Sequence, residues 1–192
     1  MVEEMTLRLF IDPGVEHLAG AWFQGPTLWQ VGFYPREAML AGSYFNLHGL
    51  VIEKPTVYPG SSEKDPNDLI DLAGAAYFAE GAIRARGGPP AHYVKPFDWK
   101  GQLKKPQHHA RIWSVLANDE REAFGRDAGH SIDFVEKKID RACELLAQTG
   151  KVKNYSWAAH NLLDAVGLGL WYLGRTGRAG HRYPSHEPQV KL

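Results

Sequence analysis

The chain has 192 residues, with 22 Lys+Arg balanced by 22 Asp+Glu, 9 His, one Cys and 44% apolar residues. That length suits a single domain with a real core, and the lone Cys143 excludes both a disulfide framework and a cysteine-based zinc site, as expected of a cytoplasmic, reducing setting. The acidic start Met1-Val2-Glu3-Glu4-Met5 lacks the pattern of a signal peptide, no apolar run approaches the roughly 18 residues of a membrane span, and a net charge of zero tells at first against a polyanionic partner.

Leu7 to Ile11 alternates and ends at Asp12-Pro13-Gly14, which predicts a strand running into a turn. His17 to Phe23 and Leu28 to Phe33 are two further strands, joined at Gln24-Gly25-Pro26 into an antiparallel meander. Pro35 opens a predicted helix from Arg36 to about Phe45. Leu50-Val51-Ile52, closed by Glu53-Lys54-Pro55, reads as a buried strand. After a loop rich in Pro, Gly and Ser, Asn67 or Asp68 caps a helix that reaches Arg86. Ala91 to Val94 is a short fifth strand. Helices are expected over about Gln107–Leu116 and over Ser131–Thr149, the latter ended by Gly150, and a final one over about Ser156–Leu173. The order predicts an α/β domain with a mixed five-stranded sheet, three strands antiparallel and then parallel ones, flanked by helices. Residues 1–174 form that domain, with an extra charged helical region at about 119–149 that has no assigned task. Residues 175–192 form a basic tail.

Counted by segment, the charge is uneven. Residues 1–90 sum to −5, 91–113 to +4, 114–150 to −3 and 151–192 to +4. The basic stretches hold Lys95, Lys100, Lys104, Lys105 and Arg111, then Arg175, Arg178, Arg182 and Lys191. Both also carry aromatics or His, a composition that suits either a phosphate-tracking surface or solvated loops.

The final helix is apolar on nearly every side, yet it carries His160, Asn161 and Asp164. The pairs 160/164 and 161/164 are neighbours at helical spacing. A buried carboxylate needs a partner, a hydrogen bond or a metal, so the structural alternative is a satisfied His–Asp pair. Two other acids close apolar strands, Asp12 and Glu53. Adjacent strand ends would bring them together, and a helix crossing the sheet could deliver Asp164 to the same point. Three converging carboxylates repel one another, and divalent cations are the usual remedy. Oxygen donors without Cys favour Mg²⁺ or Mn²⁺. Two such ions about 3.5–4 Å apart are a known means of cleaving phosphodiesters.

At Ile11-Asp12-Pro13-Gly14, Val51-Ile52-Glu53-Lys54-Pro55 and Asp164-Ala165-Val166-Gly167-Leu168-Gly169 the chain resembles the RuvC-type Holliday-junction resolvases of the RNase H-like nuclease superfamily. The resemblance covers roughly residues 6–173. It implies an RNase H-like fold, two Mg²⁺ or Mn²⁺ ions per site held by Asp12, Glu53 and Asp164, and paired nicking of four-way DNA junctions. The family's fourth site residue, an acid or His three positions before the last Asp, falls on Asn161. His160, one position earlier, is the preferred candidate as metal ligand or proton-transfer partner, with Asn161 the fallback, because imidazole can move a proton near neutral pH.

The resemblance further implies DNA contacts from a Lys-rich loop, here Lys95, Lys100, Lys104 and Lys105. An aromatic near the unpaired centre of the junction would be supplied by Tyr58, with Trp99 as a second stacking candidate. It also implies a homodimer through the helix at 66–86, for which Leu69, Ala73, Ala76 and Tyr77 offer a face. The alternatives are a nuclease of the same fold acting on other branched DNA or RNA–DNA hybrids, a junction-binding scaffold with weak turnover, and an actin-like ATPase, for which a second phosphate loop is missing. Adjacent His108 and His109 as a metal site is ranked below all of these.

Overall fold

The computed structural model describes residues 6–56, 66–152, 155 and 157–176. Tyr58 and the tail from residue 177 lie outside them. Five strands form one mixed sheet: β1 (Leu7–Asp12), β2 (His17–Gln24), β3 (Thr27–Pro35), β4 (Leu47–Glu53) and β5 (Ala91–Val94), in the order β3-β2-β1-β4-β5. β1 pairs antiparallel with β2, and β2 with β3. β4 runs parallel to β1, and β5 parallel to β4. Three antiparallel strands followed by parallel ones in one mixed five-stranded sheet are the RNase H-like fold class predicted from the sequence.

The central strands are buried on both faces, as parallel strands between helical layers must be. Side chains alternate along a strand. Leu9, Ile11, Leu50 and Ile52 therefore face one layer, with α1 (Ala38–Ala41) and α2 (Pro66–Ala85). Phe10 and Val51 face the other, with α4 (Lys105–Val115), α5 (Asn118–Ala128), α6 (Ile132–Thr149) and α7 (His160–Tyr172). A short α3 (Pro96–Lys100) follows β5. Among the described residues no helix is long and apolar enough to cross a membrane.

Several element boundaries depart from the sequence expectation. The helix expected over 36–45 is only the four residues of α1. Gly42 there is extended, and Tyr44 turns back into the core with its hydroxyl 3.5 Å from Met39 Sδ. The last helix starts at His160 rather than near Ser156, because Ala159 departs from helical geometry (φ −100°, ψ 9°). On α2, Ala76 is fully buried against the sheet, so it cannot belong to an outward face. Its exposed large apolar residues, among the described ones, are Ile70, Tyr77 and Phe78.

The charged region at 119–149 holds α5 and α6. Ser131 caps α6 by accepting a hydrogen bond from the Phe134 N–H, and Gly150 ends it at φ 66°. α5 lies along the edge strand β3. Glu120 accepts the Leu28 N–H at 2.7 Å and Asp127 accepts the Val31 N–H at 3.1 Å. Glu120 also binds Arg175 Nη2 at 2.7 Å, and Arg175 in turn donates to the carbonyls of Pro26 and Val115. Arg175, counted from sequence with the basic tail, is thus engaged in the body of the domain. At the opposite edge Glu80 accepts the Ala91 N–H of β5 at 3.2 Å.

Candidate active site

Strand alternation supplies the first two acids. Phe10 pairs with Val51 across β1 and β4, so two residues further on Asp12 and Glu53 lie side by side on the face that α7 covers. α7 crosses that face with every residue from Leu162 to Leu170 buried. Its close approach depends on glycine: a Cβ on Gly167 would meet Ile112 Cδ1 at 2.4 Å and Trp99 Cζ3 at 2.8 Å. Asp164, 2% exposed, comes down to the same end of the sheet.

The segment after β5 closes the site. Lys54 N–H donates to the Val94 carbonyl at 2.7 Å, holding the ends of β4 and β5 together. α3 then brings Trp99 and Lys100 against Glu53. Trp99 Nε1 donates to Glu53 Oε2 at 2.9 Å. Lys100 Nζ lies 3.2 Å from Glu53 Oε1, 3.0 Å from Oε2 and 3.6 Å from Asp164 Oδ1. One turn apart on α4, Lys105 and His109 both reach Asp164, Lys105 at 2.8 Å from Oδ2 and His109 Nε2 at 3.2 Å from Oδ1. Tyr155 holds the other side of that ring, 2.9 Å from Nδ1.

The electrostatics follow from burial and from this arrangement. Burial, then the charge of Glu53, pushes the Asp12 carboxyl well above its usual range. Burial likewise raises Glu53, against the pull of Lys100. For Asp164, burial would raise the value, but Lys100, the His109 hydrogen bond and Lys105 together hold it well below the usual range. Burial opposes the charge of Lys100, yet Asp164, Glu53 and Asp12 keep its ammonium protonated more firmly than in water. Two ammonium groups thus stand against three carboxylates. The deficit falls on Asp12 and Glu53, the acids driven toward protonation.

The structure brings together Asp12, Glu53, Asp164, Lys100 and Lys105. His160 takes a different contact: its Nδ1–H donates to the Trp157 carbonyl at 2.6 Å, and burial, then the Lys105 charge, lowers its pKa. The ring in contact with Asp164 belongs to His109, which the sequence offered only as half of an adjacent His pair. His108 is buried with its edge toward Trp99, the ring centroids 4.9 Å apart. Burial lowers its pKa to about 3. Lys95 and Lys104 stand exposed at the starts of α3 and α4. Trp99 is 3% exposed and so cannot stack on an unpaired base, contrary to the sequence expectation. A signal for the missed residues existed in the four-residue spacing of Lys105 and His109.

A divalent cation suits this donor set, because Lys100 already occupies the place of a positive charge among the three carboxylates. Among the described residues, however, no group of three His, Cys, Asp or Glu side chains stands ready at ligand spacing. Holding an ion requires the two ammonium groups to turn aside.

No family model matches the sequence, and no curated protein matches it. Solved structures of similar shape exist. RuvC of T. thermophilus in complex with a Holliday junction substrate is 14% identical, with 90% of this chain and 97% of that chain covered and a TM-score of 0.43. The yeast mitochondrial Holliday junction resolvase Ydc2 is 11% identical, with 90% and 82% covered and a TM-score of 0.39. The nuclease domain of the large terminase subunit gp2 of bacterial virus Sf6 with manganese is 11% identical, with 86% and 88% covered and a TM-score of 0.37. These are likenesses of shape at low identity, and the RNase H-like fold of this chain stands on its strand order and directions.

Proposed function

We propose that this chain is a divalent-metal-dependent DNA endonuclease that resolves four-way junctions by paired nicks. The observation that carries the reading is the convergence of Asp12, Glu53 and Asp164 at one end of the sheet, two of them held at the cost of a raised pKa. A fold has no structural need for three repelling carboxylates on adjacent element ends, and such sites are commonly functional.

In this reading Asp12, Glu53 and Asp164 hold two Mg²⁺ or Mn²⁺ ions. When bound, the ions supply the Lewis acidity that activates water and stabilises the leaving oxygen in phosphodiester hydrolysis. The protein's own groups do the positioning. The Trp99 N–H orients Glu53, and His109, fixed by Tyr155, orients Asp164. Lys100 and Lys105, displaced from the carboxylates, become available to phosphate oxygens, and exposed Lys95 and Lys104 extend that basic surface. His160, held neutral by burial, is the candidate proton acceptor. Tyr58 is proposed to meet the unpaired bases. A homodimer through Ile70, Tyr77 and Phe78 of α2 would present two sites to symmetry-related strands.

The test is a synthetic four-way junction incubated with the protein and Mg²⁺ or Mn²⁺. Paired nicks are expected. Asp12→Asn, Glu53→Gln and Asp164→Asn should each lower nicking roughly 1,000-fold, about 4 kcal/mol of transition-state stabilisation, while junction affinity persists. Undiminished metal-dependent cleavage by Asp12→Asn would end the reading. A parallel panel of flaps, forks and RNA–DNA hybrids reads the substrate preference, and sedimentation of Tyr77→Glu against wild type reads the dimer.

A further inference from the structure

Beside the carboxylate cluster, on its α4 side, lies a cavity of about 470 Å³. Among the described residues its lining includes Lys104, Lys105 and Lys151 and no carboxylate. Leu146, Val152 and Tyr155 supply apolar surface. The cavity adjoins the site by two routes. Lys105 lines it and reaches Asp164 at 2.8 Å. Tyr155 lines it and touches His109, whose far nitrogen is on Asp164. Much of its wall comes from Leu146 near the end of α6 and from Gly150, Lys151, Val152 and Tyr155 beyond it.

Lys105 is already paired with Asp164, which leaves Lys104 and Lys151 as two ammonium groups with no carboxylate among the described lining residues, and such a pair calls for an anion. The volume is far more than one phosphate fills and lies in the range of small-ligand sites. The apolar surface with one aromatic ring suits a planar base, because stacking on an aromatic tolerates any base. A duplex, whose bases are already stacked, offers nothing to enter such a concavity.

We propose that this cavity takes one nucleotide of a single-stranded stretch next to the cleaved strand, its phosphate on Lys104 and Lys151 and its base against Tyr155, Leu146 and Val152. The proposal rests on the nucleic-acid reading above, but it concerns binding rather than cleavage. It also gives Leu146 of α6 and Val152 and Tyr155 beyond it a role: they form the wall beside the lysines.

The experiment uses the full chain in EDTA, so that cleavage plays no part. Anisotropy of fluorescein-labelled oligo(dT) is measured over a salt series for wild type, for Lys104→Ala/Lys151→Ala and for Val152→Glu. Both lysines are exposed, and circular dichroism checks that Val152→Glu remains folded. The double variant should bind roughly 10-fold more weakly. Its log K against log salt should be shallower by about 1.4, two single-strand phosphate contacts at about 0.7 each. A 5-iodouracil strand should photocrosslink to Tyr155, and dTMP should displace oligo(dT) better than inorganic phosphate does. Wild-type affinity and slope in the double variant, crosslinks confined to other residues, or displacement by polyglutamate as effective as by oligo(dT) would each overturn the proposal. The two readings fail separately. Junction nicking with unaltered strand binding in the double variant removes the socket alone, and socket binding without any metal-dependent nicking removes the nuclease alone.

Discussion

Trp99 Nε1 donates a 2.9 Å hydrogen bond to Glu53 Oε2 from a position 46 residues further along the chain. This N–H fixes one oxygen of the carboxylate, and Lys100 lies against both. Trp99→Phe keeps an aromatic ring beside Gly167 but removes the donor. A net hydrogen bond of this kind is worth about 1 kcal/mol, so the melting temperature should fall by only a few degrees. Metal-dependent nicking should fall about 10-fold in kcat while junction affinity stays level. Loss of affinity in step with kcat would show that Trp99 supports the surface rather than the orientation of Glu53.

Asp12 is the acid that the metal-free fold tolerates least. Its carboxyl is raised first by burial and then by Glu53, so the fold penalises its ionised form. That penalty is full above the raised native value and fades as pH falls toward the ordinary value near 3.8. Asp12→Asn should therefore stabilise the metal-free protein at neutral pH by about 1–2 kcal/mol, a gain of a few degrees in thermal melts. The gain should shrink on acidification. Saturating Mn²⁺ at about 100 times its dissociation constant should stabilise wild type by about 2.7 kcal/mol and the variant by far less.

Glu120 has the opposite sign. Burial would raise its pKa, but the Arg175 hydrogen bond and the N–H groups of Leu28 and Ala117 lower it below 4.5. Its contribution is complete above that ordinary value and is lost as pH falls through the depressed native value. Glu120→Ala takes the carboxylate from the half-buried Arg175 guanidinium and leaves the N–H groups of Leu28 and Ala117 without their acceptor, and should cost about 1–3 kcal/mol. Glu120→Gln should cost less and flatten the acid limb of a stability–pH profile measured by denaturant titration. An unchanged acid limb would contradict the assignment.

Gly167 is the point where α7 meets Ile112 and Trp99. Gly167→Ala should cost about 1–3 kcal/mol through overpacking, and the displaced Trp99 should take Glu53 with it. Nicking should then fall further than in Trp99→Phe, even at a temperature where circular dichroism shows the variant fully folded.

The strands and the three acids were legible because alternation and apolar runs report burial directly, and an acid that closes such a run stands out. Asp164 was visible for the same reason, as a charge in a helix that is otherwise apolar. α5 was not: Asn118–Ala128 is mostly polar, and its two anchors are carboxylates that cap N–H groups of β3 more than 90 residues away in sequence. α3 is five residues long, too short to show a period. The contacts of His109 and Lys100 with Asp164 were not legible because that common partner lies more than 50 residues further on.

The carboxylates at the two margins of the sheet have a consequence for how this protein meets its neighbours. A bare edge strand is a template for another chain's backbone. Here Glu120 and Asp127 occupy donors of β3, and Glu80 occupies the first donor of β5. An incoming strand must displace an anion before it can pair, so the sheet ends through acid chemistry as well as through length. Loss of one of these carboxylates removes its stopper, so growth into fibrils would begin from these margins, and light scattering should rise sooner for Asp127→Ala than for wild type at equal concentration.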